Sequence, residues 1–134
     1  MSTRSNIILV TPDNKAHQLY HHWDGYLSGV GEELRKHLIY SIGMNTLKDI
    51  SLYNILLGEI HKDEDYEDEY IYNMNDANRL HADIEYLYIT KDNSLYYVNE
   101  WNLCEKLKTY SDLIDYVCKD ENEIDLTHPC KDKD

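Results

Sequence analysis

Residues 84–101 read Ile84-Glu85-Tyr86-Leu87-Tyr88-Ile89-Thr90, Lys91-Asp92-Asn93-Ser94, Leu95-Tyr96-Tyr97-Val98-Asn99-Glu100-Trp101. Two runs of β-branched and aromatic residues flank four turn-prone ones, a length common in β-hairpins. Alternation puts Ile84, Tyr86 and Tyr88 on one face and Glu85, Leu87 and Ile89 on the other. Both faces are then partly apolar, and strands of that kind sit inside a sheet rather than on a solvated surface. The hairpin therefore predicts a sheet with layers on both sides, and the rest of the chain must supply them.

Working toward the N-terminus, Asn6-Ile7-Ile8-Leu9-Val10 is a second apolar run, and Thr11-Pro12-Asp13-Asn14 after it has turn chemistry. With Ala16-His17-Gln18-Leu19-Tyr20-His21-His22-Trp23 it predicts another hairpin, ending at Asp24-Gly25 where glycine permits an unusual φ/ψ. Ser28 then reads as an N-cap with Glu32 and Glu33 in the early turns of a helix over about 30–42. Val30, Leu34, Leu38 and Ile42 recur at steps of four along it, and Gly43 stops it. Asn45 or Thr46 caps a second helix where Leu47, Ile50, Asn54, Leu57 and Ile60 fall near one face, Leu52, Ile55 and Leu56 widen it, and the middle should be buried. Beyond the central hairpin, Thr109-Tyr110-Ser111-Asp112 opens a short last helix with Leu113, Ile114 and Val117 inward. The expectation is an α+β fold, a mainly antiparallel sheet of two hairpins packed with about three helices, in a single domain over 1–119. Residues 120–134, polar, acidic and Pro-containing, read as a tail open to disorder.

Between the second helix and the central hairpin the chemistry changes. Lys62-Asp63-Glu64-Asp65-Tyr66-Glu67-Asp68-Glu69-Tyr70 holds six carboxylates in nine residues, which excludes it from any core. From Glu59 to Glu85 ten acidic residues face only Lys62 and Arg79, a local balance of −8 within a net charge of −13. That charge argues against binding a nucleic-acid backbone or an anionic membrane directly and for a basic partner. The aromatics are equally skewed, with 13 Tyr, 2 Trp and no Phe, so nearly every ring carries a hydroxyl that needs a partner. No window approaches the roughly 18 apolar residues of a membrane span. Cys104, Cys118 and Cys130, odd in number and widely spaced, suit reduced thiols in a cytosol better than a disulfide framework. A soluble, cytoplasmic protein is expected.

Chemistry-bearing constellations are sparse. His17, His21, His22 and Asp24 are metal-ligand types, but on a strand His17 and His21 share a face that His22 leaves, so no three converge locally. Trp23-Asp24-Gly25-Tyr26 reads foremost as a strand-to-helix connector, Asp24 accepting backbone N–H groups across the loop. The amides of Gly29-Val30-Gly31 resemble an anion cradle, yet Glu32 and Glu33 would repel phosphate. There is no nucleophile elbow, and Cys118 falls at the apolar-side spacing of Ile114.

Arg4-Ser5-Asn6-Ile7, Tyr20-His21-His22-Trp23-Asp24-Gly25-Tyr26-Leu27-Ser28-Gly29-Val30-Gly31 and Asp83-Ile84-Glu85-Tyr86-Leu87-Tyr88-Ile89 together resemble a group of small, mostly uncharacterised phage and prophage proteins with a His-Trp-Asp-Gly-Tyr segment followed by Gly-Val-Gly. The resemblance covers about a third of the chain. Those relatives usually carry Pro where Leu27 stands. It implies a phage or mobile-element origin and supplies no activity.

The reading these features favour is a non-enzymatic, phage-type inhibitor that needs no cofactor. It would bind a basic host protein through Asp63, Glu64, Asp65, Tyr66, Glu67, Asp68, Glu69, Tyr70 and Tyr72. An anti-defence, anti-CRISPR-like protein that occupies a nucleic-acid-binding site fits this description, since carboxylates spread over a surface imitate phosphates. The alternatives are a small-ligand or metal-binding protein, such as a hydrolase, built on His21-His22-Trp23-Asp24-Gly25, and self-association through Tyr-rich strand edges.

Overall fold

The computed structural model describes residues 3–48, 52–62 and 66–132. The α+β expectation holds: one five-stranded, mainly antiparallel sheet carries helices on both faces. The strands are β1 (Ser5–Val10), β2 (Ala16–His21), β3 (Tyr66–Ile71), β4 (Tyr86–Lys91) and β5 (Ser94–Val98), in the order β3-β2-β1-β4-β5. Both predicted hairpins form, β1 with β2 and β4 with β5, and they join through a parallel β1–β4 contact. β1 is thereby central, which is why Ile7, Ile8 and Leu9 are all fully buried: the run faces a layer on each side.

The turn of the central hairpin is tighter than the sequence suggested. Lys91 and Ser94 pair as the last rungs, leaving a two-residue turn of Asp92 and Asn93 with φ of 50° and 68°. Positive φ at both positions is the twist-matched hairpin geometry that Asp and Asn tolerate.

Alternation along the strands sorts the core. Ile7, Leu9, Leu19, Tyr88 and Leu95 face helices α1 (Glu32–Lys48) and α2 (Leu52–His61). Ile8, Ala16, Ile71, Leu87 and Ile89 face α3 (Leu103–Lys106) and α4 (Tyr110–Val117). The last helix forms as expected: Thr109 caps it, accepting from the Asp112 N–H at 3.1 Å, and Leu113, Ile114 and Val117 point inward.

The helix boundaries need correction. Gly43 does not end α1, which runs on through Asn45 and Thr46 to Lys48. Glycine inside a helix costs only about 1 kcal/mol, which is not enough by itself to end one. The second helix therefore starts at Leu52 rather than after an Asn45 or Thr46 cap. It is amphipathic rather than buried through its middle, with Leu56 and Ile60 in the core and Asn54 and Gly58 exposed. Ile50 lies outside the described residues. Ser28 is not an N-cap either, because Leu27–Gly31 winds as one π-helical turn ahead of α1.

Residues 120–132, expected as a tail, lie against the sheet. Ile124 is buried, and its N–H donates to the Leu95 carbonyl on the outer side of β5 at 2.8 Å. Arg35 Nη1 donates to the Leu126 carbonyl at 2.9 Å, and the Cys130 N–H donates to Glu32 Oε1 at 2.8 Å. The Ser28 N–H reaches Asp132 Oδ1 at 2.9 Å. The polar composition of the segment concealed this, since its anchors are one buried apolar side chain, backbone groups and the Asp132 carboxylate. Glu32 is the hub: the hydrogen-bonded Arg35 guanidinium, helped by the Cys130 N–H, holds its carboxyl down to about 2. A carboxyl lowered in the folded state stabilises fully above its unfolded value near 4.5 and loses that contribution as pH falls through the folded one. Protection of the Cys130 amide from hydrogen exchange should therefore hold above pH 4.5 and collapse between there and about pH 2. Protection unchanged across that window would remove Glu32 as the anchor.

Candidate interaction surface

The acidic run is where the structure departs furthest from a loop. From Tyr66 it is β3, one of the two edge strands, paired with β2 from His21↔Tyr66 to Ala16↔Ile71. Asp63, Glu64 and Asp65 lie outside the described residues. Only Ile71 of the strand is apolar on its core face, so no periodic apolar signal announced it. What could have done so is the tyrosine content, because Tyr suits a half-covered pleated surface.

Strand geometry splits the predicted site residues. Glu67 and Glu69 lie across from Tyr20 and Gln18 on the α4 side, while Asp68 and Tyr70 lie across from Leu19 and His17 on the α1–α2 side. Glu69 Oε1 accepts from Arg79 Nε at 2.5 Å, and Asp68 meets His17 Nδ1 at 2.7 Å. The His17 ring packs edge-on against Tyr70 at 4.8 Å, and Tyr70 against Tyr72 at 4.4 Å. Tyr72, just past the strand, is 73% exposed. Downstream, Asp83 pairs with Arg4 at 3.2 Å and Asp76 stands exposed. The Glu67 side chain is exposed, and among the described residues its carboxylate makes no ion pair or hydrogen bond. The run is therefore an ordered edge with carboxylates on both faces, partly compensated at Asp68 and Glu69.

Beside it sits a shallow cavity of about 150 Å³ lined by Gln18, Tyr20, Glu67, Glu69 and His81, with the Tyr20 and His81 rings stacked 3.7 Å apart. Nothing in the sequence pairs the two rings, since His81 stands 61 residues from Tyr20 and its one local partner type, Asp83 two residues on, is a chance-level spacing.

The residues of the alternative ligand site are engaged elsewhere. His21 Nδ1 bonds the Trp23 carbonyl, His22 Nδ1 meets Tyr20 Oη at 3.0 Å, and Asp24 Oδ1 accepts from Tyr26 Oη at 3.0 Å. Among the described residues no group of three His, Cys, Asp or Glu side chains is placed to hold a metal ion. The glycine loop also differs in detail from expectation. The unusual φ belongs to Asp24, at 53°, and Gly25 is required for space, because a Cβ there would come within 2.8 Å of the Thr3 carbonyl oxygen. It is the Asp24 backbone carbonyl that accepts across the loop, from Val30 N–H at 2.8 Å. Burial pushes the Cys118 and Cys130 thiols up to about 11, so both stay protonated and poorly nucleophilic near neutral pH.

No protein-family model, curated protein or solved structure matches the chain.

Proposed function

We propose that this chain is a non-enzymatic binding protein that docks a basic partner protein through the acidic, tyrosine-bearing edge formed by β3 and Tyr72. The observation that carries the reading is an ordered outer strand with exposed carboxylates on both faces, Glu67 and Glu69 on one and Asp68 on the other, and two tyrosines, Tyr70 and Tyr72, packed at its end. Rigid tyrosine area and a carboxylate rim are what a Lys- and Arg-rich surface recognises. A strand holds the carboxylates of one face at twice its rise, about 6.8 Å, so Glu67 and Glu69 present charge at a fixed spacing, as a nucleic-acid backbone does. Together with the segment resembling phage proteins, this supports a phage-encoded inhibitor of anti-defence type, anti-CRISPR-like in occupying a nucleic-acid-binding groove of its target in the host cytoplasm. Among the described residues no helix is long and apolar enough to cross a membrane.

The test is capture of the partner from host lysate, competition of that complex with DNA or RNA, and a charge series on the chain. Replacing Asp63, Asp65, Glu67 and Asp68 with Asn or Ser should weaken the complex by roughly 2 kcal/mol, about thirtyfold, and flatten the salt dependence of its affinity. Unchanged affinity across that series would exclude electrostatic docking at this edge.

A further inference from the structure

The two edges of the sheet are treated differently. β5 is covered on its outer side by the C-terminal segment, through the Ile124 N–H on the Leu95 carbonyl and a bridge between Tyr96 and Glu123. β3 has β2 as its one strand neighbour among the described residues. Which of its backbone groups face outward follows from the ladder. The Thr11 N–H donates to the Lys15 carbonyl at 2.8 Å, which makes Thr11 and Lys15 a hydrogen-bonded pair of the β1–β2 ladder. Such pairs recur at every second residue, so His17, Leu19 and His21 bond toward β1 and Ala16, Gln18 and Tyr20 toward β3. The Arg4 carbonyl, accepting from Glu85 and Tyr86 on the β4 side, has the same phase. By register, Glu67, Glu69 and Ile71 bond to β2, and Tyr66, Asp68 and Tyr70 turn their N–H and C=O groups outward.

Resting on the docking role proposed above, we infer that β3 takes an extended, Lys- or Arg-bearing segment of the partner as an added strand. Main-chain hydrogen bonds would supply affinity and the carboxylates selectivity, as in strand addition generally. A second copy of this chain is a poor occupant. Antiparallel self-pairing centred on Asp68 sets Asp68 against Asp68 and Glu67 against Glu69, and like charges directly opposite destabilise a sheet. The same carboxylates favour a strand with Lys at alternate positions, because Glu67 and Glu69 share one face and neighbour every second residue of the added strand.

The probe is the peptide acetyl-Lys-Val-Lys-Thr-Lys-Val-Lys-amide, titrated into the full chain, with an alternately N-methylated version of equal charge as control. Strand addition predicts hydrogen-exchange protection of the Tyr70 amide on binding and at least tenfold weaker binding of the N-methylated peptide. Tyr70→Pro, which removes an outward N–H that an edge strand can spare, should bind the peptide at least tenfold more weakly than Tyr70→Ser, which removes only the ring. Equal binding of the two peptides, or of the two variants, overturns strand addition while leaving acidic docking intact. Peptide binding that ignores Glu67→Gln with Glu69→Gln overturns both. A dimer of the unliganded chain seen by light scattering, lost in Tyr70→Pro, would overturn the assignment of the edge to a partner.

Discussion

Gly29→Ala is expected to lower the melting temperature by about 10 °C, corresponding to roughly 3 kcal/mol for a chain of this size. A Cβ built on Gly29 overlaps the Asp24 carbonyl oxygen, with the Asp24 carbonyl carbon and Cβ each only 3.0 Å away. That carbonyl is the acceptor of the Val30 N–H, a bond across the loop that holds the π-helical turn ahead of α1 against Asp24. The overlap is with backbone, so no rotamer change relieves it. Gly29 has no positive φ, so its requirement is space alone. Gly43→Ala supplies the opposite sign: nothing lies within 4 Å of its added Cβ, the residue is inside α1, and a gain of up to about 1 kcal/mol is expected. Thermal denaturation followed by circular dichroism reads both. If Gly29→Ala melts within 2 °C of the parent, the close approach of Gly29 to Asp24 is not a feature of the folded protein.

That contrast between two glycines marks where the sequence was legible. Hairpins and inward positions could be read because strand alternation and helix spacing report which side a residue faces: Val30, Leu34 and Leu38, or Leu113, Ile114 and Val117, needed no partner in view. Glycine is ambiguous in sequence, since stopping a helix, permitting an unusual φ and making room look the same until the neighbours are placed. Gly43 has the sequence setting of a stop and stands inside α1; Gly25 has that of a positive-φ residue, a conformation Asp24 adopts instead. The candidate site was legible as a concentration of charge and illegible as a strand. Carboxylates exclude a segment from a core but say nothing of backbone pairing, and the partner of β3 is β2, some fifty residues earlier. The Asp68–His17, Glu69–Arg79 and Tyr20–His81 contacts all follow from that one long-range pairing or from the excursion beneath it. The ordering of residues 120–132 escaped for a related reason, because it depends on polar groups of other segments, the Leu95 carbonyl, Arg35, Glu32 and the Ser28 N–H, that no composition brings together.

The largest expected loss is at Tyr88, and it accounts for part of the tyrosine excess. Tyr88 lies in β4, fully buried, its ring stacked 6.0 Å from Tyr86 and 6.2 Å from Tyr97. Burial raises its hydroxyl well above the ordinary phenol value, so it stays neutral and donates, at 2.7 Å, to the Gly25 carbonyl. A phenylalanine would fill the same space but orphan that carbonyl inside the core. Tyr110 repeats the logic on the other face, donating to Gln18 Oε1 at 2.8 Å and accepting from the Arg79 N–H at 2.9 Å. In both places one side chain fills the core and fixes a distant loop, which a chain with no Phe does with tyrosine throughout. Tyr88→Ala should cost about 4–5 kcal/mol, lowering the melting temperature by roughly 15 °C. Tyr88→Phe should cost about 1–3 kcal/mol, the penalty of a buried acceptor left without its donor. The pair separates ring from hydroxyl. A Phe variant as stable as the parent would mean that water satisfies Gly25 and the hydroxyl is incidental; a Phe variant as damaged as Ala would mean that the loop's position, more than the filled volume, holds this face of the sheet together.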